Sequence, residues 1–177
     1  MVIEAIFQVV SMATTTGFAT TDFSSWPTFL PYMLIYLSFV GGCAGSTGGG
    51  IKVIRIVLLA KQAIRELKQL VHPKAVIPIK LKKQLVSGKV LSAVWSFIAV
   101  YMATSVLLSL ALQMTGLDHA SANSATIAML NNLGPGLGVV SAHYGDVSDA
   151  SKWIMCAAML LGRLEIFTLL VLFTPAF

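Results

Sequence analysis

From Val90 to Met114 no residue carries a charge, and as a helix this run is long enough to cross the roughly 30 Å hydrocarbon core of a bilayer with some tilt. A soluble fold could hide such a helix only behind a polar shell, and this chain has little polar material to build one. Hydrophobic residues make up 56% of its 177 residues and charged residues 11%, against about 25% charged in an ordinary soluble domain. Two isolated cysteines exclude a disulfide-stapled secreted scaffold, and the apolar content excludes a disordered tail. The composition therefore specifies an all-α integral membrane protein in which the bilayer is the solvent.

The distribution of charge orients the chain. Ten of the twelve basic residues fall between Lys52 and Lys89, where Glu66 is the one acid. Glu4, Asp22, Asp118, Asp146 and Asp149 lie outside that stretch, opposed only by Lys152. The positive-inside rule places such a basic stretch in the cytoplasm, which accounts for the net charge of +5 without a nucleic-acid partner. Lys89 anchors the inner end of the Val90–Met114 span. A second span is expected from about Trp153 to Phe177, interrupted by Arg163 and Glu165. A third begins near Pro27, where proline suits a first helical turn, and runs apolar through Val40.

That third span stops at Gly41-Gly42-Cys43-Ala44-Gly45-Ser46-Thr47-Gly48-Gly49-Gly50. Six glycines in ten residues do not continue a helix cheaply, since each costs about 1 kcal/mol relative to alanine. An apolar segment resumes at Ile51 and turns amphipathic, with Ile64, Leu67 and Val71 on one side and Lys61, Arg65 and Lys68 on another. The pattern predicts a broken helix whose unwound middle lies at membrane depth, where irregular backbone is tolerated only inside protein or beside a wet cavity. The competing reading of the glycines is tight helix packing through small residues.

Two further apolar segments, Val2–Ala13 and Ala120–Leu130, are too short to cross the membrane, at about 17–18 Å each as helices. Each is followed at once by a turn, Thr14-Thr15-Thr16-Gly17-Phe18 in one case and Asn131-Asn132-Leu133-Gly134-Pro135-Gly136 in the other. Both segments read as re-entrant helices entering from the side opposite the basic stretch. With Gly17 laid on Gly134, Met12 falls on Met129; little else matches, so the repeat lies in segment lengths rather than in sequence. The chain divides into a first unit over 1–71 that lacks an opening helix, a basic cytoplasmic linker over 72–89, and a complete unit over 90–177. Extended backbone after a short helix supplies carbonyl oxygens able to replace the water around an alkali cation. The helix C-terminus brings about half a negative charge to the same point. Thr14–Gly17 and Asn131–Gly134 fit that description, and an ordinary external loop is the alternative for each.

TTTGF at 14–18, GGCAGSTGGGIKVIR at 41–55, NNLGPGLG at 131–138 and GRLEIFTLLVLFTP at 162–175 closely resemble the Trk-type potassium uptake proteins, the TrkH family. The order and spacing of the motifs match along essentially the whole chain. The resemblance implies potassium-channel-like helix–pore-loop–helix units, four of them around one pore. This chain would supply the third without its first helix and the whole of the fourth. It implies one selectivity-filter strand from Thr14, Thr15, Thr16 and Gly17, and another from Asn131, Asn132, Leu133 and Gly134. It implies an intramembrane gate containing Gly45, Ser46, Thr47, Gly48 and Gly49, with Arg163 projecting toward it. It further implies potassium as the transported ion and the bacterial inner membrane as the location. Its expected partners are a TrkA-like cytosolic nucleotide-binding regulator facing the basic stretch, and a second copy in a homodimer of the full-length family.

An ionisable residue in mid-span costs about 2.5–3.5 kcal/mol on insertion scales, so a function or a partner is the default for Arg163. Glu165, two positions on, faces elsewhere on a helix; carbonyls of the Gly41–Gly50 stretch are the alternative partner. No Gly-Lys-Ser/Thr follows the glycines, and Gly134–Gly138 lacks the flanking strand and helix of a dinucleotide site. Cys43 and Cys156 read as packing residues, and His72, His119 and His143 show no metal-ligand spacing. No nucleophile–base constellation occurs, so neither an enzyme nor a resident cofactor is expected. Two filter strands do not surround an ion, and for the isolated chain the expectation is a truncated, non-conducting fragment, with Met1 internal to a longer frame. A pore made by two copies, or a secondary transporter using the broken helix, are the remaining alternatives.

Overall fold

The computed structural model describes residues 2–27, 29–42, 49–81, 84–164 and 166, and these are mostly helical. Six α-helices run in chain order: α1 Val2–Ala13, α2 Leu30–Leu37, α3 Val53–Val71, α4 Gly88–Met114, α5 His119–Leu130 and α6 Asp149–Arg163. Two very short strand pairs join them. β1 Val40–Gly41 lies parallel to β2 Ile51–Lys52, and β3 Lys80–Leu81 lies antiparallel to β4 Gln84–Leu85.

Among the described residues α4, with 27 residues, is the one helix long and apolar enough to cross a membrane. Val106, Leu107, Leu110 and Met114 stand exposed along it. The last expected span is helical up to Arg163 and begins four residues before Trp153, at Asp149; Glu165 and most of the residues after it lie outside the described residues. Where the third span is expected, two separate helices, α2 and α3, stand on either side of the glycine stretch. The outer piece, α2, starts at Leu30 with proline in its first turn rather than at Pro27. A parallel bridge pairs Val40 with Ile51 and Gly41 with Lys52, on either side of the glycine stretch, whose residues 43–48 lie outside the described residues.

Helix α5 forms the centre. Nine of its twelve residues are buried, because α4 and α6 pack on it and the end of α2 abuts it. A helix enclosed in this way needs no single apolar stripe. Met12, Phe23, Leu34, Ile35, Ala125, Met129 and Met155 belong to the core around it. Asp118 caps α5: its carboxylate accepts the Ser121 N–H at 3.1 Å. Hydrogen bonds from Ser121, the side chain first, hold that carboxyl below the usual range. A depressed native value means the cap stabilises above the ordinary carboxylate value of about 3.9 and is lost as pH falls through the lower native value. Asp118→Ala is expected to cost about 1 kcal/mol at neutral pH. Unfolding curves of the two proteins in detergent should converge as pH drops below that carboxylate range.

Candidate functional site

The two short helices end identically. After α1, Thr14 N–H donates to Val10 O at 2.9 Å, Thr15 N–H to Met12 O at 3.2 Å and Thr16 N–H to Ser11 O at 2.9 Å. After α5, Asn131 N–H donates to Ile127 O at 3.0 Å, Asn132 N–H to Met129 O at 3.0 Å and Leu133 N–H to Ala128 O at 2.8 Å. The offset is the one that lays Gly17 on Gly134. Both are Schellman caps, in which the last carbonyls of a helix are satisfied by a chain that turns left-handed just beyond it.

The left-handed residue is usually glycine in such a cap, and here it is Thr15 at φ 54° and Asn132 at φ 53°. Asparagine tolerates this region; a β-branched threonine does not, and holding it there costs about 1–2 kcal/mol. Two residues on, Gly17 (φ 79°) and Gly134 (φ 103°) are left-handed again. The sign of φ therefore alternates along 14–17 and along 131–134. In a strand of uniform sign successive carbonyls point to opposite sides, whereas alternation turns successive peptide planes so that carbonyls face the same way.

Beyond each turn the chain runs back along the helix it has just left. Ser11 Oγ donates to Phe18 O at 2.6 Å, and Gln8 Nε2 to Thr21 O at 3.0 Å. On α5 the roles reverse: Leu137 N–H donates to Ser124 Oγ at 2.9 Å and Val139 N–H to Ser121 Oγ at 3.1 Å. Small polar side chains on one helix thus satisfy backbone that no strand partner reaches. The outer ends of both turns, with Asp22 and Tyr144, line one open cavity of about 660 Å³. Tyr144 Oη donates to Gly134 O at 2.6 Å, and burial pushes its phenol up, so it remains a donor at neutral pH.

The turns touch one another. A Cβ on Gly17 would fall inside the contact distance of the Leu133 carbonyl oxygen, with Pro135 Cδ also close. From the other side Gly49, the last but one residue of the glycine stretch, reaches both. Its N–H donates to Thr15 Oγ1 at 3.2 Å, and a Cβ on it would overlap the Asn131 carbonyl. The Gly49 bond also gives Thr15 a fixed partner in its strained conformation. Helix α6 closes a further side: Asn132 Nδ2 donates to Met159 O at 3.3 Å, and Gly162 packs directly on the Leu130 carbonyl. Arg163, next to Gly162 and exposed, ends α6 at this level. Gly45, Ser46, Thr47 and Gly48 lie outside the described residues.

Asn131 has a second role that its place in the turn did not announce. Its side chain is fully buried; Oδ1 accepts from Tyr101 Oη at 2.6 Å and Nδ2 donates to Ser38 Oγ at 2.7 Å. Ser38 Oγ in turn donates to Ile35 O at 2.6 Å. The second turn is thereby tied to α4 and to the end of α2. The available signal was Tyr101 itself, a phenol in an otherwise uncharged span whose hydroxyl must find a partner when buried. Among the described residues no group of histidine, cysteine and carboxylate side chains is placed to hold a metal ion.

Comparison with known proteins agrees with this geometry. The family model for TrkH, described as cation transport protein, matches residues 1–176. The chain is 57% identical over 174 residues to the Trk system potassium uptake protein TrkH of Vibrio parahaemolyticus and 56% identical to that of Escherichia coli K12. It is 40% identical over 175 residues to TrkG of Escherichia coli K12, also a Trk system potassium uptake protein. These alignments take in 98–99% of this chain and 36% of each relative, so the chain spans about a third of their length. The crystal structure of the potassium transporter TrkH from Vibrio parahaemolyticus superimposes with a TM-score of 0.91 at 57% identity, over 97% of this chain and 37% of that one. A family match over nearly every residue, with the same fold at this identity, establishes that the chain is a membrane protein belonging to the TrkH family of cation transport proteins.

Proposed function

We propose that this chain contributes to potassium uptake across the bacterial inner membrane, with Thr14–Gly17 and Asn131–Gly134 as two strands of a carbonyl-lined filter. The observation that carries the reading is the pair of turns. They share one hydrogen-bond pattern and one alternation of φ, and they meet at Gly17 and Leu133. Carbonyls turned the same way on adjoining strands replace the water of a potassium ion, and α1 and α5 each direct a helix C-terminus, with about half a negative charge, at the same place. Each turn with its two flanking segments then acts as a pore loop, two of the four in a channel-like ring.

The glycine stretch is the gate in this reading. Gly49 under both turns supports it, as does the bridge between Val40 and Ile51 that holds the loop at its base. Arg163 acts on the gate from the end of α6, at the level of the two turns. A TrkA-like nucleotide-binding regulator would bear on the cytosolic end of α3, moving the loop through the helix that follows it. The relatives' names support potassium uptake over a non-conducting chain.

Growth of an uptake-deficient bacterium on limiting potassium tests the reading, using the protein and Gly134→Ser. A side chain at Gly134 meets open space, so the substitution acts through its left-handed φ of 103° and not through a clash. Rescue by the protein and loss of rescue in the variant, with both present in the membrane, is the expected result. Equal growth of the two would remove the filter role of this turn.

A further inference from the structure

Beside the cytosolic half of α3 lies a cavity of about 230 Å³ that the uptake reading does not use. Four cations line it: Lys61, Arg65 and Lys68 on α3, and Lys80 on β3. Lys61 Nζ donates to Lys80 O at 2.6 Å and so joins the two walls. The floor is apolar and fixed, because Ile79 is buried with Leu58, Leu91 and Val94. Glu66, the one acid of the basic stretch, does not line the cavity; its Oε1 accepts from Gln62 Nε2 and from Arg65 Nη2 at 2.9 Å. Arg65 Nε is buried and has no hydrogen-bond partner. Glu66 offsets the charge of Arg65 from outside the cavity, whereas Lys61, Lys68 and Lys80 leave the concavity net positive, and an anion within it would offset their mutual repulsion.

Leu91 belongs to the first turn of the membrane-crossing helix α4 and shares a buried cluster with Leu58, which places Leu58 near the inner end of that span. Lys61 and Lys68 follow Leu58 by about 5 and 15 Å along α3. The first distance falls within the headgroup layer, roughly 5–8 Å thick on each side, and the second lies just beyond it on the cytosolic side. Ile64, half exposed, and Pro78 add apolar wall beside the cations. The volume is below the roughly 300–1,000 Å³ of pockets that enclose whole small molecules, so it suits one phosphate group better than a nucleotide with its base.

We propose that the cavity between α3 and the β3–β4 hairpin binds the phosphate of an anionic lipid of the inner leaflet, held by Lys61, Arg65, Lys68 and Lys80. Clustered cations at the cytosolic end of a spanning segment recognise such headgroups. The site is independent of which ion the protein passes.

The test is native mass spectrometry of the purified protein in detergent with equimolar phosphatidylglycerol and phosphatidylcholine. The protein should retain phosphatidylglycerol in preference by about fivefold or more. Arg65→Gln with Lys68→Gln should bring the ratio to parity. Lys80→Gln, which spares the carbonyl that Lys61 uses, should lower it without disturbing the hairpin. Lys74→Gln, in the same basic stretch but outside the cavity, should leave it unchanged. Added inorganic phosphate separates the sources: no displacement assigns the site to lipid, and displacement at millimolar phosphate assigns the same cradle to free phosphate. Equal retention of the two lipids by the unmodified protein, or a loss in Lys74→Gln equal to that in the cavity variants, would overturn the proposal.

Discussion

Gly49→Ala is expected to abolish the proposed potassium uptake and to lower the stability of the folded protein by about 3 kcal/mol, at the upper end of overpacking effects. The added carbon would overlap the carbonyl oxygen and carbon of Asn131. Both neighbours are backbone, so no rotamer change relieves the clash, and the second turn or the loop must move. Movement of either also breaks the Gly49 N–H to Thr15 Oγ1 bond that steadies the strained first turn. Gly88→Ala is the control. Nothing stands within 4 Å of a Cβ there, and alanine is the better helix former by about 1 kcal/mol. Uptake assays and thermal unfolding in detergent check both; a Gly49→Ala protein with normal uptake would mean that the loop does not sit against the turns as described.

The second large effect is expected at Asn131. Leucine in its place keeps the volume but leaves the Tyr101 hydroxyl buried with no acceptor and Ser38 with one bond fewer. An orphaned buried hydroxyl costs about 1–3 kcal/mol. Polar pairs within membranes average only about 0.6 kcal/mol, but this one is enclosed by protein and continues through Ser38 to α2, so the upper part of the range is expected. Tyr101→Phe alone should cost less, about 1 kcal/mol. The double variant should be more stable than the sum of the two losses predicts, since removing both partners leaves no orphan between them. Unfolding in detergent measures the cycle, and strict additivity would count against a direct bond. With the brace gone the second turn should also discriminate less between potassium and sodium.

Local signals located most of these elements. The two short apolar segments become α1 and α5 with boundaries within one residue of those expected, because a Schellman cap follows each where the turn residues begin. The break after Val40 was visible because glycines are punctuation at any depth. Pairings across the chain were not visible. Val40 with Ile51 and the β3–β4 hairpin inside the basic linker are two-residue bridges, far too short to leave a periodic signal. The brace from Tyr101 through Asn131 to Ser38 joins residues 30 and 93 positions apart, and only the folded arrangement of α2, α4 and α5 brings them together. Asn131 reads from sequence as a turn residue because that is what its backbone does; its side chain does something else. The close approaches at Gly17, Gly49 and Gly162 are of the same kind, since a glycine announces freedom but not what comes near it.

The proposed uptake requires the turns at 14–17 and 131–134 to hold the permeating cation. Anomalous diffraction from crystals of the protein grown in rubidium or thallium salts, which stand in for potassium, tests it most directly. An anomalous peak is expected against these two turns, at bonding distance from their carbonyl oxygens. Ordered density for both turns without a peak beside them, or a peak elsewhere along α2 and α3, would contradict it.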